Sequence, residues 1–289
     1  MPPTSAAFLD RCLRMGYPSG MANELTPQYV DSEYARCRGN LEQRLQRGLP
    51  VNPSPEDVCA YHSAVGEMYR WIGILLLWKQ APPQEIVFAL ASAARHYLDS
   101  FLARPVPGTP GSMRRYNESI PCLVGCALGF CYGGKQAREQ IANLRQYHYI
   151  CPAPSTNEPV AALIEILRKY AEGDVWDSVA IASLIRVIFD LGRVEAFASE
   201  FVMPLATGIQ AIQSADHVAF SLSVKALDEA YYNDATMGEL CGSRDAHMNP
   251  YGSLLVRLGL ERGMQLSHTL RLVPVDVIVY VYGQEGPKS

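Results

Sequence analysis

The chain has 289 residues, 48% hydrophobic and 19% charged, which is ample for a sizeable core and leaves little room for disorder outside the ends. A net charge of −4 argues against nucleic acid as a direct ligand. The apolar run "WIGILLLW" at 71–78 stops at Lys79 after eight residues, well short of the roughly 20 needed to span a bilayer, so no membrane segment is expected.

The opening "MPPTSAAFLDRCLRMGYPSG" carries Arg11 and Arg14 after its apolar residues and has no long apolar centre, unlike a secretory signal. Thr26-Pro27 starts a helix that ends near Gly48. Ser54 as N-cap, Pro55 at the first helical position and Glu56-Asp57 in the first turn open a second helix, which runs to about Lys79. Trp71, Ile74, Leu75 and Trp78 form a stripe along it, and its all-round apolarity predicts a central helix. A third helix begins near Pro83, with Ile86, Leu90, Ala94, Tyr97 and Phe101 on one face, and makes an antiparallel pair with the second.

"RPVPGTPGS" at 104–112 reads as a linker between an N-terminal helical part, 1–104, and a C-terminal helical part, 113–289, packed as one unit. Beyond it, "IPCLVGCALGFCYGG" and "KQAREQIANLRQYHY" read as two helices divided at Gly133-Gly134. After a break at 151–159 come "VAALIEILRKYAEG", "WDSVAIASLIRVIFDLG", "RVEAFASEFVMPLATGIQAIQ" and "DHVAFSLSVKALDEAYYND". The fold class is therefore mainly α, an antiparallel helical array. In "VDVIVYVYG" valines at 275, 277, 279 and 281 alternate with other residues. This leaves open a small C-terminal β element, paired with "HTLRL" or with a second copy of the chain, or else a last short helix.

Chemical motifs are sparse. "GFCYGGKQ" matches G-x-x-x-x-G-K, but Gln136 stands where a phosphate loop needs Ser or Thr. The eight cysteines include no C-x-x-C pair, the six histidines are scattered, and no H-E-x-x-H occurs, so no metal or cofactor is expected. The cysteines sit in apolar or helical contexts and are expected to be free thiols in the cytoplasm. "RDAH" places Asp245 near His247 without a nucleophile motif. The close acidic pairs Glu56-Asp57 and Asp228-Glu229 do not extend into the aspartate-rich motifs of helical diphosphate lyases.

Residues 1–150 carry 15 Lys and Arg against 12 Asp and Glu, whereas 151–289 carry 10 against 17. Acids and aromatics cluster in "EGDVWDS", with Asp174, Trp176 and Asp177, and in "ALDEAYYNDATMGEL", with Asp228, Glu229, Tyr232, Asp234 and Glu239. That mixture suits an interface with a basic partner. The segment "ALDEAYYNDA…NPYGSLLVRLGLERGMQLSHTLRLVPVDVI" resembles the end of helical immunity proteins of bacterial polymorphic toxins and type VI secretion effectors. Asn249-Pro250, the helix over Leu254–Leu260, Gly263 and the segment from Leu272 carry the likeness, which covers about the last fifth of the chain. Within that class the stretch is likened to the type paired with a restriction-endonuclease-like nuclease effector, the TsiT-like proteins. The resemblance implies a non-enzymatic inhibitor that binds a cognate toxin in the cytoplasm. Two rivals are a helical enzyme, with a polar pocket holding His96 or His247 beside carboxylates, and a ligand-binding module with an aromatic groove.

Overall fold

The computed structural model describes residues 26–106, 119–149, 158–173, 175–192, 196–241, 243–267 and 269–285. They form twelve α-helices and, among the described residues, no strand. Chain order is α1 (Pro27–Arg47), α2 (Pro55–Trp78), α3 (Pro83–Leu102), α4 (Ser119–Tyr132), α5 (Gly134–Ala142), α6 (Gln146–Tyr149), α7 (Glu158–Gly173) and α8 (Ser178–Leu191). A π-helical turn (Ala198–Val202) leads into α9 (Met203–Gln213) and α10 (His217–Met237). A 3-10 turn (Arg244–His247) precedes α11 (Pro250–Glu261) and α12 (Val275–Glu285).

The helix starts follow local chemistry. Thr26 accepts from the Tyr29 amide, and Ser54 and Asp57 form a reciprocal capping box at α2. α2 and α3 then pack side by side, as their short proline turn predicts. Their contact is tight at Gly73, where a Cβ would fall 2.5 Å from Leu90 Cδ2. The whole of 71–76 is buried, with Trp78 beside it, so this end of α2 is covered on every side, while the turns before it stay exposed at Glu56, Asp57, Ala60, Ser63 and Glu67. α4 is enclosed further still. Nearly all of it is buried, and it touches α3, α5, α7, α11 and α12. A single apolar core runs from Val30 to Val281 across both parts of the chain. Most of the expected linker lies outside the described residues.

The C-terminal alternation resolves as a helix. Val277, Ile278 and Val281 turn inward against α3, α4 and α11, and Glu285 at the end pairs with the buried Arg257 of α11. The β-branched residues favour a strand only where another strand offers a pleated face. Here the preceding residues give their carbonyl at Leu272 to the Asn249 amide and make no ladder. Pro274 followed by Asp276 is a helix start, and the Val277 and Ile278 amides both donate to the Pro274 carbonyl. Of the two alternatives the sequence leaves open here, the last short helix is the one formed, and with the strand goes the suggestion of dimerisation through its edge.

The run read as one helix over 193–213 is interrupted. Pro204 has no amide proton and its ring crowds the carbonyl four residues back. The backbone widens before it, so that the Met203 amide reaches the carbonyl of Ala198, five residues back. Gly133-Gly134 does divide α4 from α5, with Gly134 at φ +57°, so the phosphate-loop look-alike is a helix junction.

Candidate binding cavity

A cavity of about 370 Å³ opens between α2, α3, α4, the π turn, α10 and the start of α11. One wall is aromatic. Phe201 comes from the π turn and Phe197 from just before it, Tyr231 from α10 and Tyr251 from α11. The Phe201 and Tyr251 ring centroids are 5.5 Å apart, and Phe197 meets Tyr251 edge-on at 5.6 Å. Tyr97 closes the side facing α2, and its hydroxyl donates to the Glu67 carboxylate. Burial pushes the phenols of Tyr97, Tyr231 and Tyr251 well up, so they stay neutral.

Four carboxylates, Glu67, Asp234, Glu239 and Asp245, line the cavity together with one cation, Arg70. Arg70 is 5% exposed and lies 2.8 Å from Asp245 Oδ1, so its charge is already answered from within. Burial alone would lower its pKa, but Tyr97, Asp245, Tyr231 and Glu67 hold it above the ordinary value. Tyr231 donates to the Asp245 carbonyl at 2.6 Å and so fixes the 3-10 turn that carries Asp245. Asp234 Oδ1 accepts from the Glu239 amide at 2.7 Å, which ties the end of α10 around the mouth. With Arg70 offset by Asp245, the lining keeps three formal negative charges beside electron-rich ring faces, an arrangement that suits a cation.

The structure sorts the acids and aromatics singled out in the sequence. Asp234 and Glu239 meet at the cavity. Asp228 does not present itself to a partner. It is 4% exposed, and its carboxylate accepts from the Arg271 and Leu272 amides and from Arg271 Nε. Its neighbour Glu229 is exposed and faces Lys225 at 3.7 Å. Tyr232 lies under the Arg271 guanidinium, 4.1 Å from the ring centre. Trp176 stacks on Tyr170 at 3.7 Å and 4°, and Asp177 caps α8 through the Ala180 amide and pairs with Lys169. Asp174 lies outside the described residues.

Part of the acidic surplus of the second half is spent inside the fold. Asp245 holds Arg70 and Glu261 holds Arg138, both cations of the first half. Sequence reasoning missed Glu67, Arg70, Tyr97, Phe197, Phe201 and Tyr251 as cavity residues. The only signal available was that Glu67 and Arg70 are charged residues in the approach to a helix otherwise apolar on all sides.

His247 does not line the cavity, although Asp245 is near enough to act on its charge. Its ring packs among Trp71 and Trp78, and burial lowers its pKa to about 4 despite Asp245. His96 faces away from the cavity and meets His62. Asn249 is fully buried and caps α11 through the Gly252 amide, while its own amide group donates to the Leu227 carbonyl.

On the outer side, α8 abuts the π turn and leaves Val179, Val187, Phe189 and Leu191 exposed, with Val175 just before it. No helix among the described residues is long and apolar enough to cross a membrane. Compared with protein-family models, curated proteins and solved structures, the chain matched none.

Proposed function

We propose that the protein acts by binding a basic partner protein, and that the cavity between α2, α4 and α10 receives a cationic side chain of that partner. The observation that carries this reading is the cavity lining itself: surplus carboxylates set against an aromatic wall, with the one guanidinium already paired. A lysine or arginine side chain entering it would gain charge–charge attraction and ring-face contact together. The exposed apolar residues of α8, next to the wall formed by Phe197 and Phe201, supply the contact area that a protein partner needs around such an anchor. The reading agrees with the resemblance to helical immunity proteins, for which the partner is a secreted toxin neutralised in the cytoplasm. A nuclease, with its basic substrate groove, is the partner the charge favours.

Capture from lysate of the native cell tests it, using the tagged wild type beside an Asp234→Asn, Glu239→Gln double variant. The expected result is one stoichiometric basic protein held by the wild type and lost by the variant. Equal recovery by both would remove the cavity from the interface. A second reading, a free organic cation as ligand, is favoured by the volume, which falls within the usual range for small-molecule pockets. Thermal-shift measurements with choline, arginine and spermidine separate the two, since a small ligand stabilises the protein with no partner present.

A further inference from the structure

A second cluster lies on the other side of the α2–α3 pair. His62 of α2 and His96 of α3 face each other, Nδ1 to Nδ1, at 2.8 Å. Asp99, one turn beyond His96, places Oδ2 3.7 Å from His62 Nδ1. One donor atom from each of the three residues lies within 4.8 Å of the others. We infer that His62, His96 and Asp99 form a binding site for a divalent first-row transition-metal ion that clips α2 to α3.

The geometry is close to what such an ion requires. Imidazole nitrogens and carboxylate oxygens bind zinc at about 2.0–2.2 Å, so two ligand atoms on one tetrahedral ion sit roughly 3.3–3.6 Å apart. Asp99 already lies near that spacing from His62, the histidine pair must open by about half an ångström, and His96 and Asp99, within 4.8 Å of each other, must close further. Two imidazoles with one carboxylate are a donor set for zinc, iron(II) and their neighbours, whereas calcium and magnesium want oxygen.

The surroundings fit as well. Each imidazole offers a ring-nitrogen lone pair when neutral, and the two Nδ1 atoms face each other across the α2–α3 contact. The two rings now share a single proton between their Nδ1 atoms. An ion takes its place once both carry their proton on Nε2. Gln140 of α5 donates to the other oxygen of Asp99 at 2.6 Å, which orients the carboxylate as an outer-shell partner does. Tyr69 stacks on the His96 ring and holds its plane. Arg95, 4.0 Å from Asp99, is the one cationic side chain set against the ion, and its own side chain is more than half exposed. The side chains of His62 and Asp99 stay partly open to solvent, which leaves room for entry and for water as a further ligand.

The test is titration of chelator-treated protein with Co²⁺ and with Zn²⁺, reading the visible absorption of bound cobalt, the stoichiometry by calorimetry and the melting temperature. The expected result is one ion per chain, a cobalt spectrum, and a melting temperature raised by zinc. His62→Gln and Asp99→Asn, at two partly exposed positions that should leave the fold intact, are each expected to weaken binding at least about tenfold. Wild-type protein that binds no ion at 100 µM metal, or variants that bind as the wild type does, would overturn the assignment. The site shares no lining residue with the acidic cavity, so the outcome is independent of the partner proposed there.

Discussion

Replacing Asp228 by alanine should destabilise the fold rather than alter a surface. The carboxylate is buried and accepts three hydrogen bonds, from the Arg271 amide at 3.0 Å, the Leu272 amide at 3.4 Å and Arg271 Nε at 3.2 Å. Breaking a buried ion pair costs about 3–5 kcal/mol, mostly for the groups left behind. The Arg271 side chain is one-third exposed and rests on Tyr232, so its guanidinium can rehydrate. The cost then falls mainly on the backbone amides, and the lower figure, about 3 kcal/mol, is expected. In a chain of this size that corresponds to a melting temperature lower by about 5 °C. Asp228→Asn keeps one acceptor oxygen and should lose less. Glu229→Ala, one residue away and exposed, should change stability by no more than about 0.5 kcal/mol. Urea unfolding of the three variants with an unchanged m-value decides the matter. A loss below about 1 kcal/mol for Asp228→Ala would refute the structural role given to this carboxylate. The same result would reopen its place at a partner surface, which the sequence suggested.

Other expectations follow from the buried groups. Glu261→Gln leaves Arg257 and Arg138 without their shared anion between α5, α11 and α12, and should cost about 3–5 kcal/mol in urea unfolding. Leu75→Asp, at a fully buried position in the opening helix pair, should abolish the cooperative melt, because an unpaired charge would be buried. Gly73→Ala should cost about 1–3 kcal/mol, since its Cβ would press on Leu90 unless the helices separate. Acid should unfold the protein early. Burial holds His96, His148 and His247 at about 4. Their folded pKa values lie below the ordinary 6.5, so the unfolded chain binds more protons. Their contribution is complete above pH 6.5 and is lost as the pH falls towards 4, at up to about 1.4 kcal/mol per group per pH unit. Equal urea midpoints at pH 7 and pH 5 would contradict this.

The helices were legible because their ends and faces were written locally. Thr26-Pro27 and Ser54-Pro55 start helices where the sequence places them, and Gly133-Gly134 divides two helices as expected; Asn249-Pro250, read only as a loop ahead of a helix over Leu254–Leu260, turns out to be the helix start itself. The tail was not legible, because alternating valines satisfy a strand and a packed helix equally until the neighbouring surface is known. The candidate sites were hidden for a different reason. Glu67 and Tyr97, or His62 and His96, meet only because α2 and α3 run antiparallel, and no local spacing records that register. Asp228 misled because a carboxylate in a polar run looks solvated, while its partners lie in a loop more than forty residues later.

The central claim is the sign of the charge that the cavity accepts, and calorimetric titration of the purified protein with argininamide, with succinate run in parallel, tests it most directly. The account predicts one argininamide bound per chain, no heat from succinate, and loss of binding in the Asp234→Asn, Glu239→Gln variant. Succinate binding in place of argininamide would show that Arg70 rather than the carboxylates reads the ligand, and would contradict the proposed basic partner.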